Sequence, residues 1–431
     1  MSILQAEICG KEIVQKFKVS VNDFTRKRKQ SFSNTIIFML NILRKSLALE
    51  IENFTSHLKT ILKTGTCLSF TKSAFVQCRK KIQPDVFKYL NQRLIEEFYT
   101  DNEASVKLWK GYRLLSVDGS CITLPDTKEL AKEYGCAKNQ TAKEVVQARA
   151  SVLYDVLNRY VLDAELSALS TGEKILALKH LHHARYNDLI IYDRGYPSFD
   201  FIYEHNKTGI DFLIRVKKDF SNVVQAFSQS GISSRIVKIY PCKNTKFPET
   251  EYDKNTFVEL RLVRVELSSN ETEILMTSLK DDVQFPDTVF KKLYGLRWGI
   301  ETLYNELKNK LKLEYFSGYS KQTILQDFYA TVFVSNIKSL IVGEINDELR
   351  EKTGKKYEYK VNSNLSYGFL KDRIISMFFS KTETDTIYTE LRNLFEKHLI
   401  PIRPGRKYVR NKNKYKYRPK PKVPKNMKDT V

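Results

Sequence analysis

The order of strand and helix patterns between residues 111 and 216 is the feature that most limits how this chain can fold. Alternating or short continuous apolar runs predict strands, whereas apolar residues three and four apart predict helices. The order is three strands, a helix, a strand, a helix and a strand. The predicted strands are residues 112–117, 144–154, 160–166, 188–192 and 211–216, and the predicted helices are residues 173–185 and 198–206.

This order predicts an α/β fold in which helices flank a mixed sheet. It is the order of a ribonuclease H-like fold. Further strand patterns at residues 235–240, 258–265 and 273–277 predict a β-rich insertion at about 219–285, and one long helix is predicted from about residue 286 to 313. Fold order does not assign function, because function depends on the site that a fold carries.

The flanking segments are predicted to be mainly helical. N-cap residues at Ser31 and Thr71 precede two of the N-terminal helices, and a third is expected at about residues 84–99. Cations cluster at residues 26–29 and 79–81, which suits a DNA-binding domain, although such runs also occur on solvated helix faces. We therefore predict a helical, DNA-binding domain at 1–105, a ribonuclease H-like catalytic domain at 106–345, a helical region at 346–402 and a disordered basic tail at 403–431.

The charge balance indicates a polyanionic partner. The chain has 72 Lys and Arg against 50 Asp and Glu, a formal net charge of +22. Nucleic acid is the partner that such a surface favours, and an anionic membrane is the alternative. Residues 403–428 contribute 12 Lys and Arg with no Asp or Glu, and three tyrosines are interleaved with them. That composition suits contact with phosphates and stacking on bases, although a general solubility tail would have similar charge.

Several classes of protein fit the sequence poorly. No run of 18 apolar residues occurs, so no transmembrane helix is predicted. The six cysteines are scattered and form no C-x-x-C pair, which argues against zinc ribbons and disulfide scaffolds and favours a reduced cytoplasm. His180, His182 and His183 lie close in sequence, but their spacing matches no standard metal site. We expect them to be surface or hydrogen-bonded core residues.

Two aspartates follow predicted strands that should be neighbours in the sheet. Asp118 ends the first strand and Asp193 follows the fourth, so their carboxylates should meet, and Glu301 lies on the long helix after the insertion. Each acid alone has an ordinary explanation as a turn, strand-end or solvated helix residue. Together, three carboxylates suit two Mg²⁺ ions, which prefer hard oxygen ligands and promote phosphodiester chemistry.

The segment around Glu301 carries a longer pattern. Tyr294, Arg297, Glu301 and Lys308 read Y-x2-R-x3-E-x6-K, with VDGS at 117–120 and IYDRGYPS at 191–198. This set resembles the DDE transposases of the insertion-sequence-four family, over about residues 105–345 and more loosely at 71–82. On one continuous helix the four residues would share a face. The alternative is an intrahelical ion pair between Arg297 and Glu301.

The resemblance implies a role for each matching residue. Asp118, Asp193 and Glu301 would be catalytic and would hold two Mg²⁺ ions, for which Mn²⁺ can substitute, with Asp118 bridging both. Tyr294, Arg297 and Lys308 would contact transposon-end DNA. The implied activity is cut-and-paste transposition: hydrolysis frees a 3′-hydroxyl, which attacks the opposite strand to form a hairpin that is reopened before insertion.

The partners implied are double-stranded DNA, as terminal inverted repeats and target, and a second copy of the chain in a homodimer on DNA. Membrane binding is not expected. Two other functions remain open, namely a ribonuclease H-like nuclease that cuts without joining and a catalytically silent DNA-binding protein derived from a transposase.

Overall fold

The computed structural model describes residues 2–26, 28–62, 69–101, 105–138, 144–242, 251–266, 271–351, 357–371, 373–379 and 384–403. The chain divides into two compact units. The first unit contains Met1–Glu103, Cys121–Ala148 and Asn305–Val431, and the second contains Ala104–Ser120 and Arg149–Tyr304. Apart from Arg403, the predicted basic tail lies outside the described residues.

Nine strands form the main sheet within this part of the chain. In chain order they are β1 (Arg113–Thr123), β2 (Cys136–Lys138), β3 (Glu144–Asp155), β4 (Tyr160–Ala168), β5 (Asp188–Tyr192), β6 (Asp211–Val216), β7 (Ser234–Ile239), β8 (Val258–Glu266) and β9 (Thr272–Thr277). Their order in the sheet is β2-β3-β1-β5-β6-β9-β8-β7, and β4 pairs with β3. All five strands predicted for the core are present.

The described helices, in chain order, are α1 (Ser2–Cys9), α2 (Lys11–Phe17), α3 (Phe32–Leu40), α4 (Leu47–Leu62), α5 (Lys72–Arg79), α6 (Asp85–Asp101), α7 (Lys128–Tyr134), α8 (Glu173–His180), α9 (Phe199–Thr208), α10 (Asn222–Gln229), α11 (Asp287–Gly295), α12 (Trp298–Asn305), α13 (Lys321–Glu351), α14 (Ser363–Leu370), α15 (Arg373–Phe379) and α16 (Thr384–Lys397).

The strand order confirms the ribonuclease H-like fold. β1, β5 and β6 are parallel neighbours, with β3 and β4 on the other side of β1. β5 is buried along its whole length, which explains why its sequence DLIIY is apolar rather than alternating. The strands of the predicted insertion extend the same sheet, because β9 pairs antiparallel with β6 and is followed by β8 and β7.

The hydrophobic core of the second unit lies between this sheet and α11. Side chains of five strands meet the α11 residues Phe290 and Leu293, which are almost fully buried. The buried strand residues in this cluster are Leu114, Leu189, Ile191, Leu213, Val263, Val265 and Leu275. Burying an apolar side chain of this size contributes about 1.5–3 kcal/mol. This packing makes the sheet a rigid support for residues at its strand ends.

The first unit is mainly helical, and its N-terminal segment contains the helices expected after Ser31 and Thr71. Ser31 and Thr71 are the N-caps of α3 and α5, and each side-chain oxygen accepts a backbone N–H three residues on. One expectation for this unit is wrong, since Arg79 is not on a solvated face. It is 1% exposed and pairs with Asp327 at 2.8 Å. A buried guanidinium needs such a partner, and none is adjacent in sequence.

α13 is the core helix of the first unit. By length and composition it could cross a membrane, but 78% of its apolar window is buried within the protein. Its polar groups are also paired internally, as in the contact of Asn336 with Asn91 at 2.6 Å. The C-terminal region contains two short strands besides its helices, β10 (Glu358–Val361) and β11 (Leu399–Ile402), which pair antiparallel.

Candidate functional site

The register of two parallel strands places Asp118 beside Asp193. Ser116 of β1 is the partner of Ile191 of β5, and each aspartate follows two residues later, on the same face. At the other end of the pair, Arg113 is the register partner of Asp188 and binds it through two hydrogen bonds of 2.7 and 2.6 Å. This buried ion pair stabilises the register that places the two aspartates side by side.

Asp118 lies within β1 rather than at its end, which corrects the sequence prediction. The strand continues to Thr123 because Ile122 remains fully buried. The Asp118 carboxylate accepts a 2.8 Å hydrogen bond from the N–H of Gly119. Burial raises the pKa of Asp118 to about 6, against the lowering effects of that hydrogen bond and of Arg297, and the charges of Glu301 and Glu173 add to the rise.

Asp193 and Glu301 are more exposed. The hydroxyl of Tyr294 donates to Asp193 Oδ1 at 3.2 Å, and Arg215 Nε of β6 lies 3.7 Å from the same oxygen. Glu301 lies in the first turn of α12, where the helix dipole favours a carboxylate. Its side chain is 40% exposed and accepts from Arg297 at 2.7 Å.

Arg297 connects the acids. Its Nη2 binds Glu301, its Nη1 lies 3.7 Å from Asp118 Oδ2, and its side chain is 8% exposed. Burial alone would lower the pKa of Arg297, but Glu301, Tyr294 and Asp193 outweigh it and raise that pKa. Its buried Nε has no hydrogen-bond partner among the residues that the structure describes. The structure thus groups Asp118, Asp193, Tyr294, Arg297 and Glu301 within one unit.

The prediction of one helix from 286 to 313 is wrong. α11 ends at Gly295 and α12 begins at Trp298, with a turn at residues 296–297. Across it, backbone bonds span three residues, as from Arg297 N to Tyr294 O at 3.1 Å. Gly295 and Gly299 flank the break, and glycine weakens a helix by about 1 kcal/mol relative to alanine.

Lys308 therefore does not continue a single helical face. It lies on a π-helical turn, Glu306–Lys310, in the first unit. There its Nζ donates to the backbone oxygen of Cys121 at 2.7 Å.

Three further groups border the aspartates and were not identified from sequence. Glu173 of α8 lies against Gly119, where an added Cβ would be 3.2 Å from its Cγ and Cδ. Tyr304 donates to the backbone oxygen of Asp118 at 2.9 Å. Tyr196 is buried among charges of Asp118, Glu173 and Asp193. Only Tyr196 had a sequence signal, since it lies in the IYDRGYPS motif.

The donor set suits a divalent cation of the Mg²⁺ type, because all three acids supply hard carboxylate oxygens. The pKa of Asp118 is raised mainly by burial, and the negative charges of Glu301 and Glu173 add to the rise, so a bound cation would stabilise the charged form of this carboxyl. Among the residues that the structure describes, no three His, Cys, Asp or Glu side chains are already gathered around one point. Arg297 instead pairs with two of the acids.

A serine, a histidine and an aspartate also line up elsewhere in the second unit. His180 lies 2.9 Å from Ser151 Oγ and 2.7 Å from Asp163 Oδ2. Ser151 is 1% exposed and His180 is fully buried, so a substrate has no access to the serine. As the sequence indicated, His180 is a hydrogen-bonded core residue, and the network holds α8 against β3 and β4.

A basic groove occurs in the first unit. It has a volume of about 1030 Å³ and is lined by Arg26, Arg28, Lys29 and Lys81 together with Phe24, Phe32 and Phe70. A hollow of about 600 Å³ in the second unit has a mixed lining of four cations, Arg194, Arg215, Lys217 and Lys218, and three acids, Asp219, Glu271 and Glu273.

Comparison with known proteins agrees with this architecture. Residues 109–337, more than half of the chain, match the model of the transposase DDE domain family. The chain belongs to this family. The match ends within α13 and includes every residue of the carboxylate group and Lys308.

A curated relative is transposase InsG for insertion sequence element IS4 of Escherichia coli K12. It is 22% identical over 272 residues, which cover 62% of this chain and 60% of the relative. Among solved structures, the cryo-EM structure of the piggyBac transposase synaptic complex with hairpin DNA has a TM-score of 0.45 and 11% identity, covering 94% of this chain and 86% of that chain.

Proposed function

We propose that this protein is a transposase that cuts DNA at the ends of an insertion sequence and joins those ends to target DNA. The observation that carries the proposal is that the register of two parallel strands places Asp118 and Asp193 side by side, with Glu301 linked to Asp118 through Arg297. The membership of the transposase DDE domain family supports it.

Asp118, Asp193 and Glu301 would hold two Mg²⁺ ions, or Mn²⁺ in their place. Such ions neutralise charge on a phosphate and promote deprotonation of a water near neutral pH. Arg297 is already placed at these acids, so it would pass from pairing with Glu301 to binding a phosphate oxygen of the DNA. Tyr294 would orient Asp193 through their hydrogen bond and would contact the same DNA strand as Arg297. Lys308 would contact DNA from the first unit.

One such site can serve each step of cut-and-paste transposition, because each is an in-line displacement at phosphorus. Hydrolysis would free a 3′-hydroxyl, which would attack the opposite strand and form a hairpin that is reopened before insertion. No covalent bond between protein and DNA is required. Two ends must be held together, so we expect a homodimer on double-stranded DNA.

The basic groove of the first unit is the surface that suits the DNA. It combines several cations with aromatic rings that can pack on sugars or bases. The net charge of +22 would attract DNA at long range.

Cleavage of a labelled duplex carrying the sequence that flanks the gene, in Mg²⁺, tests the proposal. Wild type should nick the duplex and join the product to a second DNA, and Asp118→Ala should bind DNA but lose cleavage by at least about 10³-fold, on the order of what metal-ligand groups supply. Asp282→Ala, at an exposed aspartate of the same unit, is the matched control and should cleave normally.

Other outcomes would assign a different function. Nicking without joining would indicate a nuclease. Cleavage by Asp118→Ala at the wild-type rate would place the chemistry elsewhere. Tight binding without cleavage by wild type, on the authentic ends, would indicate a silent DNA-binding protein.

A further inference from the structure

Tyr196 is a buried tyrosine whose hydroxyl has no hydrogen-bond partner within the described part of the chain. The residue is 2% exposed, and its ring packs against Tyr192 and Phe201 at centroid distances of 5.3 and 5.9 Å. Buried tyrosine hydroxyls normally find a partner, because an unpaired polar group in the interior lowers stability. A phenylalanine would fill the same space without that cost, so packing does not explain the hydroxyl.

The backbone holds Tyr196 at the carboxylates. Its N–H donates to the carbonyl of Asp193 at 3.2 Å, which closes a turn directly after β5. The next residue, Pro197, accepts a 3.1 Å hydrogen bond from Lys174 Nζ of α8. Tyr196 is therefore tied both to Asp193 and to the helix that carries Glu173.

The charges of three acids act on the phenol. Burial, then Asp118, Glu173 and Asp193 in that order, raise the pKa of Tyr196 above its usual range. The hydroxyl therefore keeps its proton and can donate it in a hydrogen bond. Acceptor oxygens are abundant at this site, but within the described residues none lies at hydrogen-bonding distance from this hydroxyl.

We propose that Tyr196 is a positioning residue, whose hydroxyl donates to a carboxylate oxygen of Asp118 or Asp193 once that carboxylate ligates a divalent cation. Groups that hydrogen-bond the ligands of a metal orient those ligands and increase the affinity for the ion. The inference rests on the proposed function, since it requires the ion to bind at these aspartates. The unpaired hydroxyl is then the part of the site that is completed only on metal binding.

Calorimetric titration of the full-length protein with Mn²⁺ tests this, together with thermal unfolding in EDTA. Tyr196→Phe should bind Mn²⁺ about tenfold more weakly, as loss of such a hydrogen bond typically does, and should unfold in EDTA at the wild-type temperature or above it. The matched control is Tyr192→Phe, a neighbouring buried tyrosine whose hydroxyl lies 3.0 Å from His205 Nε2. That variant should lose stability in EDTA and keep its affinity for Mn²⁺.

Wild-type Mn²⁺ affinity in Tyr196→Phe would overturn the inference, and so would a lower unfolding temperature in EDTA, which would reveal a structural partner. Asp118→Asn separates this failure from failure of the site itself. If Asp118→Asn loses Mn²⁺ binding while Tyr196→Phe does not, only the role of Tyr196 is wrong. If Asp118→Asn also binds normally, the proposed metal site is wrong.

Discussion

Asp118 carries its charge where burial opposes it, and the hydrogen bond from Gly119 together with Arg297, 3.7 Å away, compensates only in part. Because the folded protein raises the pKa of this carboxyl from 3.8 to about 6, the folded state binds its proton more tightly than the unfolded chain does. The group therefore costs no stability below about pH 4. The cost grows as the pH rises through about 6 and is complete above it.

Asp118→Asn should consequently stabilise the protein without metal at about pH 7.5, by as much as about 3 kcal/mol, and should have little effect at about pH 4. The asparagine oxygen can still accept from Gly119, so the local backbone is kept. Chemical denaturation in EDTA at the two pH values measures the difference. Equal effects at both values, or a loss of stability at the higher pH, would contradict this account.

At the residue scale, the residues that could be predicted from sequence are those at expected strand ends and those in a motif of fixed spacing. Asp118, Asp193 and Glu301 were predicted because the first two were expected at the ends of recognisable strands and the third lies in a four-residue pattern. Glu173 could not be predicted, since its approach to Gly119 depends on how α8 packs. The buried ion pair of Arg79 could not be predicted either, because its partner Asp327 is 248 residues away in the sequence.

At the scale of elements, the pairing of β1 with β5 determines the site. Arg113 and Asp188 are 8% and 2% exposed, so removing one partner would leave the other charged and buried. Arg113→Met should therefore destabilise the protein by about 3–5 kcal/mol. Adding Asp188→Asn removes the unpaired buried charge and should recover a large part of the lost stability. Urea unfolding of the single and double variants measures both, and an additive or greater loss in the double variant would argue against the ion pair as the source.

The prediction that was wrong at this scale is the single helix over residues 286–313, which the structure divides into α11 and α12. The apolar period runs through residues 286–313 and predicts one helix, yet the chain turns at 296–297. Gly295 and Gly299 gave a local signal for an interruption. The sequence alone could not decide between a tolerated glycine and a helix end, and in the structure α11 ends at Gly295. That turn places Arg297 close to both Asp118 and Glu301.

At the scale of the whole molecule, the cationic side chains fall into two groups. Some cations are structural, such as Arg79 and Arg113, which are buried and paired with Asp327 and Asp188. Others are exposed, including Arg26, Arg28 and Lys29 in the first unit. Only the exposed cations can exchange small counterions for DNA phosphates, so the affinity for DNA should depend on these and on the basic C-terminal segment.

Deleting residues 404–431 should therefore weaken DNA binding and flatten its salt dependence. The deletion removes 11 Lys and Arg, and the slope of log Kd against log salt should fall by about 0.9 for each phosphate that the shortened chain no longer neutralises. Fluorescence anisotropy on a labelled duplex over a range of salt concentrations measures that slope. A chain with the same segment scrambled should bind as wild type does, because counterion release depends on charge and not on order. If the deletion leaves the slope unchanged, the segment does not bind phosphates, and the exposed cations of the two folded units must supply all of the electrostatic attraction.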